Sequence, residues 1–174
     1  MFTAAQEEEI FNLLLSVSSS TRVYLGCDSV AYKKGRRPDG TPIWYGKFAT
    51  VLIVHIDGKR GCRIFRHVDH EIVFDNKKNR PQDRLMKEVY RTAALYRQVR
   101  GLIDGFETEI HLDINPNKEH GSSCVISQAT GYILGTTGID PKSVKVKPDA
   151  FAASFGADGI ARGYDSRGEI QPVH

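Results

Sequence analysis

Three strand-like segments follow one another without an intervening helix, and after them helix and strand patterns alternate. That switch constrains the fold more than any other feature of the chain. Residues 21–29 carry the first apolar β-pattern. Residues 43–56 carry the second, beyond a basic Gly-Pro loop at 33–42, and residues 62–73 carry the third after an Asp57-Gly58 turn. Before them, Thr3 and Gln6 form a capping-box pattern that opens an amphipathic helix through Ile10, Phe11, Leu13, Leu14 and Leu15, fading in the serines at 16–20. After them, Asn79-Arg80-Pro81-Gln82-Asp83 breaks the chain. A helix follows, with Leu85, Met86, Val89, Ala93, Tyr96 and Val99 at helical spacing and Gly101 at its end. The pattern continues with a strand at 107–114, a helix at 122–134 closed by Gly135, a short strand at 143–147 and a last helix at 149–161. The expected architecture is α/β, a five-stranded mixed sheet flanked by helices. Residues 1–20 read as a leading helix packed on the domain, 21–162 as the domain, and 163–174 as a C-terminal tail.

Two of these strands each carry one carboxylate in an otherwise apolar run. Alternation places Val23, Leu25 and Cys27 on one face and Asp28 on the other; Ile110, Leu112 and Ile114 likewise oppose His111 and Asp113. A half-buried carboxylate is costly to desolvate, and two on neighbouring strands would repel without a cation between them. A divalent metal site is the economical explanation.

Composition narrows the class. With 174 residues, 40% hydrophobic and 26% charged, the chain is of ordinary size for one soluble domain, and no apolar stretch is long enough to span a bilayer. The N-terminus, Met1-Phe2-Thr3-Ala4-Ala5-Gln6-Glu7-Glu8-Glu9, is acidic where a signal peptide would be basic, which predicts a cytoplasmic location. Cys27, Cys62 and Cys124 are widely spaced, so neither a disulfide framework nor a zinc finger is expected. The net charge of +3 says little, but Lys33, Lys34, Arg36 and Arg37 cluster in one loop and Lys59, Arg60, Arg63 and Arg66 around another. Such clusters attract phosphate backbone or simply solvate turns and strand edges.

With the residues added, the chain resembles the YkuK-type family of ribonuclease H-like proteins, from about Val23 to Ser154. The similar segments are Gly26-Cys27-Asp28-Ser29, a lone Glu88 on the helix, His111-Leu112-Asp113-Ile114, and Lys147-Pro148-Asp149 ahead of Ala150-Phe151-Ala152-Ala153-Ser154. The leading helix and the basic loop stand apart from the resemblance, and the family's Asp-Ile-Gly becomes Asp113-Ile114-Asn115 here, with a longer loop at 116–120. The resemblance implies that the first and fourth strands lie side by side and parallel, bringing Asp28 and Asp113 together. It also implies that Asp28, Glu88, Asp113 and Asp149 serve as metal ligands and catalytic groups. Such a set would hold two Mg²⁺ or Mn²⁺ ions about 3.5–4 Å apart for hydrolysis of a nucleic-acid phosphodiester, whether RNA, RNA/DNA hybrid or DNA.

Each carboxylate also has a plainer reading: Asp28 and Asp113 as turn residues, Glu88 as an exposed partner of Arg84 or Arg91, Asp149 as a helix N-cap. Asp158 is the second choice for the fourth ligand. Lys33, Lys34, Arg36, Arg37, Ser29, His111 and Lys147 are the expected substrate contacts, with His111 a proton shuttle or a structural histidine. Gly121-Ser122-Ser123 opens a helix that would suit a phosphate. The His67 to His70 segment makes a poor metal site, since the two imidazoles point to opposite faces of a strand. Two further function classes fit the fold, a catalytically silent binding module and an actin-like ATPase or phosphotransferase. The second needs glycine-rich phosphate loops, and Asp28-Ser29-Val30-Ala31-Tyr32 has no glycine.

Overall fold

A computed structural model describes residues 1–74, 81–117, 123 and 125–162 of the chain. The expectations for Asn79 and Arg80, for Gly121, Ser122 and Cys124, for the rest of the 116–120 loop beyond Asn117, and for the 163–174 tail lie outside the described residues.

Helix α1 spans Ala4–Leu15 and opens as its capping box predicts: Gln6 N–H donates to Thr3 Oγ1 at 3.2 Å, and Thr3 N–H to Gln6 Oε1 at 3.1 Å. Strands β1 (Arg22–Arg36), β2 (Pro42–His55) and β3 (Cys62–Ile72) form the antiparallel meander; α2 (Gln82–Val99), β4 (Glu107–Leu112), α3 (Ile126–Thr137) and β5 (Val144–Val146) follow. The sheet order is β3-β2-β1-β4-β5, with β4 parallel to β1 and β5 parallel to β4. At the β2–β3 turn Asp57 adopts φ 50° and Gly58 φ 69°, and the Asp57 carboxylate accepts from Ser18 N–H at 2.8 Å, tying the end of α1 to the meander.

Strand alternation divides the core by face. On one side Val23, Leu25, Leu52, Val54 and Phe65 meet Ile10 and Leu14 of α1 and Leu95 and Val99 of α2. Ile110 and Leu112 extend that layer against Met86 and Val89 of α2 and Ala129 and Ile133 of α3. The other face carries Tyr24, Ala49, Val51 and Ile53, covered by Ala152, Ala157 and Ala161 of the C-terminal helical segment. That cover is made of small residues because the approach is close: a Cβ on Gly156 would come within 2.8 Å of Ile53 Cδ1.

Three elements depart from the sequence reading. First, β1 does not end at Ser29. Its ladder with β2 runs on to Arg36, so Lys33, Lys34 and Arg36 are hairpin strand residues and only 37–41 turns. Tyr32 stacks on its cross-strand partner Tyr45 at 6.0 Å between ring centroids, and a register shift between Lys33 and Arg36 accommodates Gly35 at φ 80°. Second, α3 ends at Gly138 in the left-handed conformation (φ 68°), not at Gly135, which stays inside the helix. Third, the last helix does not start at Asp149. Residues 147–150 form a turn, and the helix begins with a wide π-type segment at Ala152–Ala157 that runs into α4 (Asp158–Ala161).

The helix end gives a direct test. Gly135→Ala should stabilise the protein by roughly 0.5–1 kcal/mol, since nothing lies within 4 Å of the added methyl. Gly138→Ala should destabilise it by about 1–2 kcal/mol because φ is positive there. Urea unfolding midpoints that moved in the opposite senses would place the helix end at Gly135.

Candidate active site

The last in-register pair of the parallel β1–β4 ladder is Cys27 with Leu112. One residue further, where β4 has ended and β1 continues along β2, Asp28 and Asp113 both lie on the face that the C-terminal helical segment covers. That segment crosses the sheet from β5 and brings Asp158 over the same point. Asp28, Ser29, Arg84, Leu85, Asp113, Lys147, Asp158 and Arg162 line one cavity of about 290 Å³.

Three acidic and three basic side chains face one another here. Lys147 Nζ lies 2.9 and 3.0 Å from the two carboxylate oxygens of Asp113. Arg162 Nε lies 2.6 Å from Asp158 Oδ1, one turn along α4. Asp28 is buried, 7% exposed, and among the described residues no cation lies within ion-pair distance of it; Ser29 N–H donates to its Oδ1 at 2.8 Å. Burial, followed by the charge of Asp113, pushes the Asp28 carboxyl up to about 7, with Asp158 adding to the rise and the Ser29 amide opposing it.

Glu88 lies one layer below. It is buried on the α2 side of β1, where its Oε1 accepts from Ser29 Oγ at 2.6 Å and from Arg84 Nη1 at 3.1 Å. Arg84 Nη1 also donates to the Ser29 carbonyl at 2.6 Å and to its hydroxyl at 2.9 Å, so one guanidinium fixes the backbone beside Asp28. Burial holds the Glu88 carboxyl well above the usual range despite Arg84. The pairing with Arg84 that the i, i+4 spacing permits does form, but in the interior and not on an exposed helix face.

The expected residues are thus partly assembled. Asp28, Asp113, Ser29 and Lys147 meet at the cavity, with Glu88 beneath. Asp149 does not reach it: the residue is exposed in the turn after β5, where its amide bonds Val146 O at 2.9 Å, and Asp158 faces Asp28 instead. Its place inside the helix does not keep Asp158 away, because the helical segment lies flat across the sheet.

His111 also differs from the proton-shuttle expectation. It is fully buried, Nδ1 accepts from Ala152 N–H at 3.0 Å and Nε2 bonds Glu109 at 3.0 Å, while its ring packs on Tyr24 and Phe151. The Ala152 amide requires an unprotonated Nδ1, and burial lowers the imidazole's affinity for a second proton. His111 is a structural residue. Lys33, Lys34, Arg36 and Arg37 lie exposed along the hairpin, apart from the cavity, with Lys34 Nζ 5.6 Å from the Tyr45 ring centroid. His67 and His70 do stand on opposite faces of β3, and His70 Nδ1 bonds Tyr32 Oη at 2.8 Å. Sequence reasoning does not single out Arg84 and Arg162 as cavity residues. Each stands four positions from an acidic partner, a spacing that also describes any solvated helix face.

A mixed sheet ordered 3-2-1-4-5 with helices on both sides, its β1 antiparallel to β2 and parallel to β4, defines the ribonuclease H-like fold. The ribonuclease H-like family matches residues 8–162, and the chain belongs to that family. No curated protein and no solved structure matches the chain.

The crowding of Asp28 has a measurable consequence. Because its folded-state pKa lies above the unfolded value, its charged form opposes folding: the penalty is absent below about pH 4, grows as pH rises and is complete above about pH 7. Asp28→Asn should therefore stabilise the metal-free protein at pH 8, by up to about 4 kcal/mol at 1.36 kcal/mol per pH unit, and the gain should vanish towards pH 4. A gain independent of pH, or a loss at pH 8, would show that Asp28 is not held among like charges.

Proposed function

We propose that this protein is a divalent-metal-dependent phosphodiesterase that acts on nucleic acid. The observation that carries the reading is the buried Asp28 between Asp113 and Asp158, in a cavity that also presents Arg84, Lys147 and Arg162. A buried carboxylate crowded by two others and itself without a cationic partner among the described residues is what a cation relieves, and basic side chains beside them suit a phosphate.

The donor chemistry fits Mg²⁺ or Mn²⁺, since the facing ligands are all oxygen. Asp28, Asp113 and Asp158 would hold the ion. When bound, it would supply an activated water and charge stabilisation for the leaving oxygen. Among the described residues no three acidic, histidine or cysteine side chains converge as a ready cage, and the reason is visible: Asp113 is turned onto Lys147 and Asp158 onto Arg162. Asp113 and Asp158 would have to turn from Lys147 and Arg162 to hold a cation together with Asp28. The Lys147 ammonium and Arg162 guanidinium, turned from these carboxylates, would face phosphate oxygens, the guanidinium as a bidentate donor. A cation beside Asp28 would favour its carboxylate form and offset the rise that burial and Asp113 impose. Two ions need Glu88 as well, which must first leave Ser29 and Arg84; a single ion needs no such change in α2. Arg84 and Ser29 would meanwhile keep the β1 backbone beside Asp28 in place.

A second reading, a module that binds without turnover, is favoured by one observation: Asp113, Asp158 and Glu88 each already carry a basic partner. Activity assays separate the two. With Mg²⁺ or Mn²⁺, labelled RNA, hybrid or DNA oligonucleotides should be cut, and Asp28→Asn, Asp113→Asn and Asp158→Asn should reduce cleavage to background. Ser29→Ala should cost about 10- to 100-fold, as for an outer partner of a ligand. Asp149→Asn should stay close to wild type. Full cleavage in EDTA would overturn the metal reading, and loss with Asp149→Asn but not Asp158→Asn would overturn this ligand set.

The hairpin adds a second test. If Lys33, Lys34, Arg36 and Arg37 neutralise phosphates, replacing all four with Gln should weaken duplex DNA binding and reduce the log–log salt slope by about 0.9 for each phosphate no longer neutralised. An unchanged slope would leave them as solvated strand-edge charges.

A further inference from the structure

We propose that a groove beside the cavity holds an unpaired nucleobase stacked on Phe155, making single-stranded or frayed nucleic acid the preferred substrate class. This deepens the phosphodiesterase reading and rests on it. The groove has a volume of about 380 Å³ and is lined by Asn115, Pro116, Lys147, Pro148 and Phe155. Lys147 is common to both depressions, so the groove opens directly onto the wall where Asp113 is paired.

Phe155 is 80% exposed, the most exposed large hydrophobic side chain among the described residues. Its place follows from the packing of its neighbours. Ala152 and Ala157 are buried on the sheet, Gly156 approaches Ile53 too closely for any side chain, and Phe151 packs edge-to-face with Tyr24 and His111 at 4.6 Å between ring centroids. Each of these neighbours fixes the wide turn, and together they leave the Phe155 ring outside. Single exposed apolar residues are common on protein surfaces. This one instead walls a concave groove with two prolines, beside the lysine that pairs with Asp113 at the cavity.

Charge and shape select the occupant. A phosphate drawn to Lys147 and Arg162 carries its own base about one nucleotide radius away, and a flat ring on that side meets Phe155 and the proline faces. Inside a duplex both faces of each base are covered by its neighbours, so apart from the two end pairs only an unpaired base can stack on the ring. Proline and phenylalanine side chains offer no hydrogen bond to a base edge, so binding through them should tolerate any sequence.

The test uses the full chain with Ca²⁺, an oxygen-binding cation that would occupy the carboxylates, and a single-stranded oligonucleotide and a blunt duplex of the same length, both with phosphorothioate linkages that resist cleavage and the single strand carrying 2-aminopurine. Phe155→Ala should weaken single-strand binding about 10- to 100-fold, the range expected for removal of one base stack, and abolish the quenching of 2-aminopurine. Duplex binding should change less than about twofold, and Phe155→Trp should restore the single-strand preference. Equal losses for both ligands, or single-strand binding and quenching like the native chain, would overturn the groove assignment while leaving the phosphodiesterase reading intact. So would sedimentation showing that Phe155→Ala converts a dimer to a monomer, which would assign the ring to a second copy of the chain. A native chain that bound neither ligand would remove the phosphodiesterase reading and this inference with it.

Discussion

The parallel pairing of β1 with β4 is the constraint on which the candidate site depends. Its register, from Arg22 with Glu107 to Cys27 with Leu112, fixes which two residues come next where the parallel pairing stops, and these are Asp28 and Asp113. A one-residue slip would turn Val23, Leu25 and Cys27 out of the α1–α2 core, so the hydrophobic pattern that holds the sheet also holds the carboxylates in place. The position of the acidic groups is a by-product of burying Leu25, Ile110 and Leu112, all of them inaccessible or nearly so. Stability of the sheet and geometry of the site are one property.

Two layers of polar contacts then condition this point. Below it, Glu88, Ser29 and Arg84 form a buried set in which the hydroxyl and the guanidinium satisfy the carboxylate, and Arg84 also secures the Ser29 carbonyl. Such a set is favourable only while complete, because a buried group left without a partner is costly. Above it, Lys147 and Arg162 neutralise Asp113 and Asp158, and Asp28 alone is left to respond to burial and to its neighbours' charge. The metal-free site is therefore nearly self-neutral. Any cation that enters must compete with Lys147 and Arg162, which ties affinity to the same side chains that would receive phosphate.

Much of this was legible in the chain itself, and what was not has a physical cause. The Thr3 and Gln6 capping box, the Asp57-Gly58 turn and the face shared by His111 and Asp113 depend on local backbone geometry, and all three hold. The fourth acidic residue was not legible. Whether Asp149 or Asp158 reaches Asp28 depends on the path of the last helical segment, and Gly156 against Ile53 with Ala157 and Ala161 on the sheet sets that path through tertiary packing alone. His111 shared the right face but lay too far back along β4, where Ala152 and Glu109 occupy both nitrogens. The length of the β1–β2 hairpin was hidden for a similar reason. A basic run with Gly35 and Gly40 reads as loop until Tyr32 and Tyr45 are seen to stack across it.

The central claim is that Asp28, Asp113 and Asp158 form a divalent-cation site at the end of the paired strands. Anomalous diffraction from crystals soaked in Mn²⁺ tests it most directly. The account predicts an anomalous peak bonded to carboxylate oxygens of all three residues, with the Lys147 ammonium moved away from Asp113. A saturating soak that leaves no peak there, or one that places Mn²⁺ on Asp149, would contradict it.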